Sequence, residues 1–199
     1  MKTKYRSIPP FVMLLKMAMY ELGHIDHFLE LINEAKESRQ TFLEELAASK
    51  ETQEPDDLLV DDFAQLDYFS ELAAEFTILG LWRCVELYRS RAMSNALGRD
   101  VGKGAFNNKE FVKQLARLGI QENRIRCARS VDELRCLNNA IKHERCVGEE
   151  LSAFKCWQKK KWKDFGDMQP HYSRLRPLAQ RYLEDLTNCL CRWWKKRGA

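Results

Sequence analysis

Residues 9–32, PPFVMLLKMAMYELGHIDHFLELI, carry the clearest structural pattern in the chain. After the two prolines, apolar residues recur mostly at steps of three and four, at Phe11, Leu14, Leu15, Ala18, Leu22, Ile25, Leu29 and Ile32. This period predicts one apolar stripe along a long helix, which continues through Phe42, Leu43 and Leu46.

A second long helix is predicted after the acidic, turn-prone stretch at 51–57. Its apolar positions are Leu59, Phe63, Leu66, Phe69, Ala73, Phe76, Leu81, Val85 and Tyr88. Two long amphipathic helices joined by a short loop favour an antiparallel hairpin. We therefore predict an all-α helical bundle built on this hairpin, with residues 1–199 forming a single helical domain.

Three shorter helices are expected in the second half of the chain. The first covers about 109–118. The second begins at an S-x-x-E capping box, Ser130 with Glu133, and ends near Gly148. The last runs from Leu175 to Trp193, with Pro177 tolerated in its first turn.

Composition narrows the class of protein. The chain is 45% hydrophobic and 31% charged, with nine glycines and five prolines, which is typical of a globular protein made of a few long elements. The seven cysteines lack the paired spacing of zinc sites and predict reduced thiols in the cytoplasm. Because Lys16 interrupts the N-terminal apolar run, we expect neither a targeting segment nor a membrane span.

Charge is unevenly distributed. Residues 1–116 hold 14 Lys/Arg against 19 Asp/Glu (−5), and residues 117–199 hold 19 against 10 (+9). An anionic partner is therefore expected to bind the second half.

The stretch SVDELRCLNNAIKHERC, residues 130–146, contains the best candidate for chemistry. On a helix its polar face would hold Arg135, Asn138, Asn139, Lys142 and His143. A histidine can act as general acid or base near neutral pH, and adjacent cations stabilise a phosphate, a set suited to metal-free phosphodiester cleavage. The alternative is that His143 and Asn139 bond to loop backbone while the cations are solvated.

Residues 137–143, LNNAIKH, resemble the late-helix signature of the HEPN (higher eukaryotes and prokaryotes nucleotide-binding) superfamily. That signature is an R-x4-6-H motif on a small helical domain. His143 matches its histidine and Asn139 the polar residue, whereas Asn138 stands at the arginine position and Arg135 lies at R-x7-H. In active members the resemblance implies metal-independent RNA cleavage across a homodimer. Loss of the arginine would also fit a member that keeps the fold as a binding or dimerisation module.

A second candidate region is basic and aromatic. Residues 155–163 contain five lysines and two tryptophans and no acid: Lys155, Trp157, Lys159, Lys160, Lys161, Trp162 and Lys163. Lysines that contact phosphate and tryptophans that stack on bases are typical of single-stranded nucleic-acid surfaces. The alternative is that the tryptophans anchor the segment to the core. Residues 192–197, RWWKKR, repeat this composition.

The leading hypothesis is that the chain is an RNA-binding or RNA-cleaving HEPN-like homodimer. Its expected setting is a bacterial defence system or a toxin and antitoxin system. His143 would be the general base or acid, Arg135 or Lys142 would stabilise the phosphate, and Asn139 would orient it. The rival is a non-catalytic module that binds a protein partner. We expect no cofactor; a metal site at His24 and His27 lacks further ligands.

Overall fold

A computed structural model describes residues 9–49, 57–98 and 108–197, and the regular elements in these ranges are all helical. The prediction of an all-α bundle is confirmed. The predicted break at 51–57 lies almost entirely outside the described residues, as does the segment 1–8.

Two long helices, α1 (Pro10–Ser49) and α2 (Asp57–Leu97), form the base of the bundle. Contacts that join them include Lys36 Nζ to Asp67 Oδ1 at 3.0 Å and Cys84 Sγ to the carbonyl of Ala18 at 3.4 Å. Since a late residue of one helix meets an early residue of the other, the two run antiparallel, as predicted.

Four further helices are α3 (Asn108–Arg117), α4 (Ala128–His143), α5 (Glu149–Ser152) and α6 (Gln169–Arg197). Short 3-10 turns lie at Glu122–Arg124 and Gln158–Lys160. Helix α6 packs against α1, α2 and α4 and so connects the hairpin to α4.

One cluster of buried apolar side chains joins these helices. Its largest fully buried members are Phe11, Tyr88, Phe111, Trp157 and Tyr182, from α1, α2, α3, the segment after α5, and α6. Burying a large apolar side chain stabilises the fold by about 1.5–3 kcal/mol. The five elements are therefore held in place by a shared core.

A buried arginine of α2 forms hydrogen bonds to the neighbouring elements. Arg89, 5% exposed, donates to Glu122 Oε1 at 2.8 Å, to Asn108 Oδ1 at 2.9 Å, and to the Tyr182 hydroxyl at 2.8 and 3.1 Å. Its guanidinium also lies 4.5 Å from the ring centroid of Phe111. A buried charge needs such a full set of partners, so this arrangement fixes how α2, α3 and α6 meet.

The predicted limits of α4 are wrong at both ends. The helix begins at Ala128, after Cys127 in a left-handed conformation (φ 62°), so Ser130 lies inside the first turn instead of capping it. At the other end, the N–H groups of Glu144 and Arg145 both donate to the Ala140 carbonyl, and Arg145 turns left-handed (φ 53°). The helix therefore ends at His143, well before the predicted stop.

The start of α6 also differs from the prediction. Pro177 is the ninth residue of the helix and lies outside its first turn. The helix extends towards its N-terminus because Arg176 and the Tyr172 hydroxyl both bond to Asp26 of α1, at 2.8 and 2.6 Å. Pro177 is exposed, so the Ser173 carbonyl that loses its helical partner faces solvent.

Among the described residues, none of the helices has the length and apolar character needed to span a bilayer.

Candidate functional site

Helix α4 turns the position that corresponds to the motif arginine towards the core. Asn138 is 2% exposed, and its Nδ2 donates to Asn139 Oδ1 at 3.2 Å. No partner for Asn138 Oδ1 is found within the described part of the chain. At about 100° per residue, Asn138 lies about 140° from His143 around the helix. An arginine at this position would thus be buried and directed away from the histidine.

Asn139 and His143 share a face, as the sequence predicts, and they differ in exposure. His143 and Lys142 are both exposed at the C-terminal end of α4, and Asn139 is half-buried one turn earlier. The side chains of His143 and Lys142 have no ion pair or hydrogen bond within residues 9–49, 57–98 and 108–197. The imidazole is accessible, and no neighbouring side chain of the described residues orients it.

Arg135 is already paired with acids. Its Nε donates to Asp132 Oδ1 at 2.9 Å, and its Nη1 lies 3.5 Å from Glu150 Oε2. Two carboxylates around one guanidinium leave little positive charge for a phosphate. Burial also raises the pKa of the adjacent Cys136 thiol to about 12, which keeps that group neutral at physiological pH.

The lysine and tryptophan run at 155–163 divides into a buried part and an exposed part. Trp157 is fully buried: its Nε1 donates to Glu133 Oε1 at 2.9 Å and its ring stacks on His171 at 4.0 Å. Neither face of this indole is therefore open to a base, because the ring is part of the core. Lys160 is likewise engaged, with its Nζ donating to the Phe165 carbonyl at 2.8 Å.

Other members of the run remain at the surface. Trp162 is 65% exposed and Lys161 lies over its ring at 5.5 Å while pairing with Glu149 at 2.7 Å. The remaining lysines, Lys155, Lys159 and Lys163, are exposed. This surface keeps three cations and one aromatic ring for an anionic partner.

Around Trp157 lies a buried polar network that the sequence did not reveal. Glu133 is 5% exposed and accepts two bonds from Arg174, at 2.5 and 3.1 Å, besides the indole bond. Burial, together with the charges of Lys160 and Arg174, lowers the pKa of His171 to about 4. The only trace in the sequence is the glutamate of the S-x-x-E pattern, which bonds to a tryptophan and an arginine instead of a helix end.

A groove at the C-terminal part of α6 brings together cations from two parts of the chain. It has a volume of about 290 Å³ and lies between α6 and the segment that links α3 to α4. Arg124, Arg192 and Lys196 line it and are exposed, and Trp193 forms part of its wall. The composition of 192–197 pointed to one side of this groove, but the contribution of Arg124 depends on the fold.

The groove contains a single carboxylate. Asp185 Oδ2 accepts the backbone N–H of Arg126 at 2.9 Å. Three cations against one engaged acid give the groove a net positive charge. The Arg197 guanidinium lies 5.1 Å from the centroid of the Trp193 ring. Cations and an aromatic wall together match the side chains that hold single-stranded nucleic acid.

The described residues contain no group of three or more His, Cys, Asp or Glu side chains able to hold a metal ion. His27 lies 3.5 Å from Glu30, and His24 contacts the edge of the Tyr20 ring.

No family model matches this chain, and no curated protein or solved structure matches it.

Proposed function

We propose that this protein binds single-stranded RNA, with the groove formed by Arg124, Arg192, Trp193 and Lys196 as its main contact surface. The main support for this proposal is that three exposed cations lie together beside one aromatic side chain. Cations contact the phosphates of a flexible strand and an indole stacks on a base. The choice of RNA over DNA rests on the HEPN resemblance, and a location in the cytoplasm rests on the seven cysteines without paired spacing.

The side-chain contacts of α4 favour binding over cleavage. Arg135 is paired with Asp132 and Glu150, and the motif arginine position is a buried asparagine. Neither the motif position nor Arg135 therefore offers a free guanidinium to stabilise a developing phosphate charge. The proposed main activity is therefore recognition of the strand.

The test is fluorescence anisotropy with a labelled single-stranded RNA of about 20 nucleotides at about 50 and 200 mM salt. The double variant R192A/K196A should weaken binding at least about tenfold and reduce the slope of log K against log salt by about 1.4, since each phosphate contact contributes about 0.7. The matched control K159A/K163A removes two exposed lysines outside the groove and should have a smaller effect.

The two double variants distinguish the groove from the surface that holds Lys159 and Lys163. If K159A/K163A abolishes binding while R192A/K196A does not, the groove is not the site. If the unmodified protein shows no salt-dependent binding at the lower salt concentration, RNA recognition itself is wrong.

RNA cleavage is the second candidate function, favoured by the exposure of His143 and Lys142 at one helix end. In this version His143 takes the proton of the ribose 2'-hydroxyl or gives one to the leaving 5'-oxygen. Incubating the same RNA with the protein and with H143A decides it: cleavage by the first and not the second supports catalysis, and equal rates exclude it.

A further inference from the structure

Helix α1 carries a second apolar stripe that the described part of the bundle does not cover. Five large side chains recur along it and are exposed: Met13 (55%), Met17 (48%), Tyr20 (70%), Phe28 (40%) and Leu31 (49%). His24, also exposed, continues the same line between Tyr20 and Phe28. The stripe extends over 19 residues, or about 27 Å at 1.5 Å per residue.

The stripe faces away from the core. Phe11, Ala18 and Leu22 of the same helix are 0–3% exposed and pack inside the bundle. At about 100° per residue, their mean direction is roughly opposite to that of the stripe. The helix is thus apolar on two sides, which is unusual for a helix with one solvent face.

A glycine lies beside the middle of the stripe. A Cβ built on Gly23 would meet nothing within 4 Å, so no contact among residues 9–49, 57–98 and 108–197 requires the residue to be glycine. Glycine is disfavoured in helix interiors relative to alanine. A glycine at such a position allows the backbone of another helix to approach closely.

We propose that α1 pairs with α1 of a second copy of this chain, antiparallel and about a two-fold axis that passes near Gly23. Spacing supports this register. Read as heptads, Met13, Met17, Tyr20, His24, His27 and Leu31 occupy alternate core positions. Antiparallel pairing then places Met13 opposite Leu31 of the other copy and Tyr20 opposite its His24.

Charge complementarity selects the same partner and direction. Lys16 and Glu30 are both exposed, lie on the same edge of the stripe as Gly23, and are each seven residues from it. An antiparallel copy brings Lys16 next to Glu30 of the other copy at both ends of the contact, and Gly23 next to Gly23. In a parallel dimer the edge that holds Lys16 and Glu30 would lie against the opposite edge of the other copy, so Lys16 would not meet Glu30.

The amount of exposed surface is in the range a specific contact needs. The uncovered parts of the five apolar side chains amount to roughly 500 Å² per copy, so two copies bury roughly 1,000 Å², the lower limit of specific interfaces. A lipid surface fits less well. Between Pro10 and Glu34, Lys16 is the only Lys or Arg, against three carboxylates, and anionic membranes attract basic helices.

The first test measures the dimer dissociation constant of the full chain by sedimentation equilibrium. K16E and E30K should each raise the Kd at least about tenfold, because each places like charges together at both ends of the interface. The double variant K16E/E30K restores opposite charges and should return the Kd to within about threefold of the starting value. K113E, a charge reversal at an exposed site on α3, is the control and should change little.

A second pair of variants tests the stripe itself. Y20D should abolish the dimer, since it places a carboxylate in the apolar contact. G23L should weaken the dimer although leucine favours the helix, because the added side chain blocks close approach. A protein that is monomeric at about 100 µM overturns the proposal. The proposal is also wrong if the dimer of K16E/E30K has a Kd as high as those of the single variants.

Discussion

His171 should make the stability of this fold depend on pH between about 4 and 6.5. The ring is half-buried and stacks on Trp157, and burial with the nearby charges of Lys160 and Arg174 lowers its pKa from 6.5 to about 4. The carboxylates of Glu133 and Asp167 oppose this shift but do not cancel it. The folded protein therefore holds a neutral imidazole at a pH where the unfolded chain would protonate it.

The direction of the effect follows from proton linkage. Between the two pKa values the unfolded state binds more protons, so stability is full above about pH 6.5 and falls as the pH drops towards 4. The shift sets an upper limit of about 3 kcal/mol at 1.36 kcal/mol per pKa unit. Since the ring is only half-buried, solvent screening reduces the expected loss to about 1–2 kcal/mol.

The assay compares the free energy of unfolding in urea for the natural sequence and H171Q, at about pH 7.5 and 4.5. Glutamine does not titrate, so the difference between the two proteins isolates the histidine from every other group. We expect the natural sequence to lose about 1–2 kcal/mol more than H171Q on acidification. If the free energies of unfolding of the natural sequence and H171Q differ by the same amount at both pH values, the link between burial of this ring and its protonation is refuted.

Three other outcomes follow from the buried groups. E133A should lower the free energy of unfolding by about 2–4 kcal/mol in urea titrations followed by circular dichroism, because it leaves a partly buried guanidinium and an indole N–H without their acceptor. Y182F should cost about 1–2 kcal/mol in the same titration, since Arg89 loses a hydroxyl acceptor in the core. Under native alkylation followed by peptide mass spectrometry, the exposed Cys156 should be modified well before Cys84, whose pKa burial raises to about 12; equal rates would contradict the packing of α2 on α1.

The helices could be predicted from the sequence because their signals are local. Apolar residues at steps of three and four identify α1 and α2, and a loop between two long helices permits few arrangements other than a hairpin. The ends were harder to predict. Helix α4 stops at a left-handed Arg145, a conformation that glycine usually supplies, and α6 begins early because Asp26 of another helix binds its first turns.

The candidate site was predictable only as a composition. Of the two tryptophans in the lysine and tryptophan run, Trp157 lies in the core and Trp162 at the surface. They are five residues apart in similar local sequence, which does not show which of them is buried. What separates them is the buried carboxylate of Glu133, which comes from a distant part of the chain and accepts the Trp157 indole N–H. The groove beside Trp193 similarly needs a cation, Arg124, from a segment that α6 meets only after folding.

The period of three and four residues predicted the side of α1 that packs in the core, where Phe11, Ala18 and Leu22 are buried. The same helix has a second apolar side, which that period does not explain. The two sides also differ in their charged neighbours. Asp26 reaches inward to Arg176, where the bundle supplies a guanidinium for it, whereas Lys16 and Glu30 flank the uncovered stripe with opposite signs at equal distances from Gly23. Charges of this kind complement themselves when the helix is reversed, which is why we propose a second copy of α1 as the partner of the uncovered stripe.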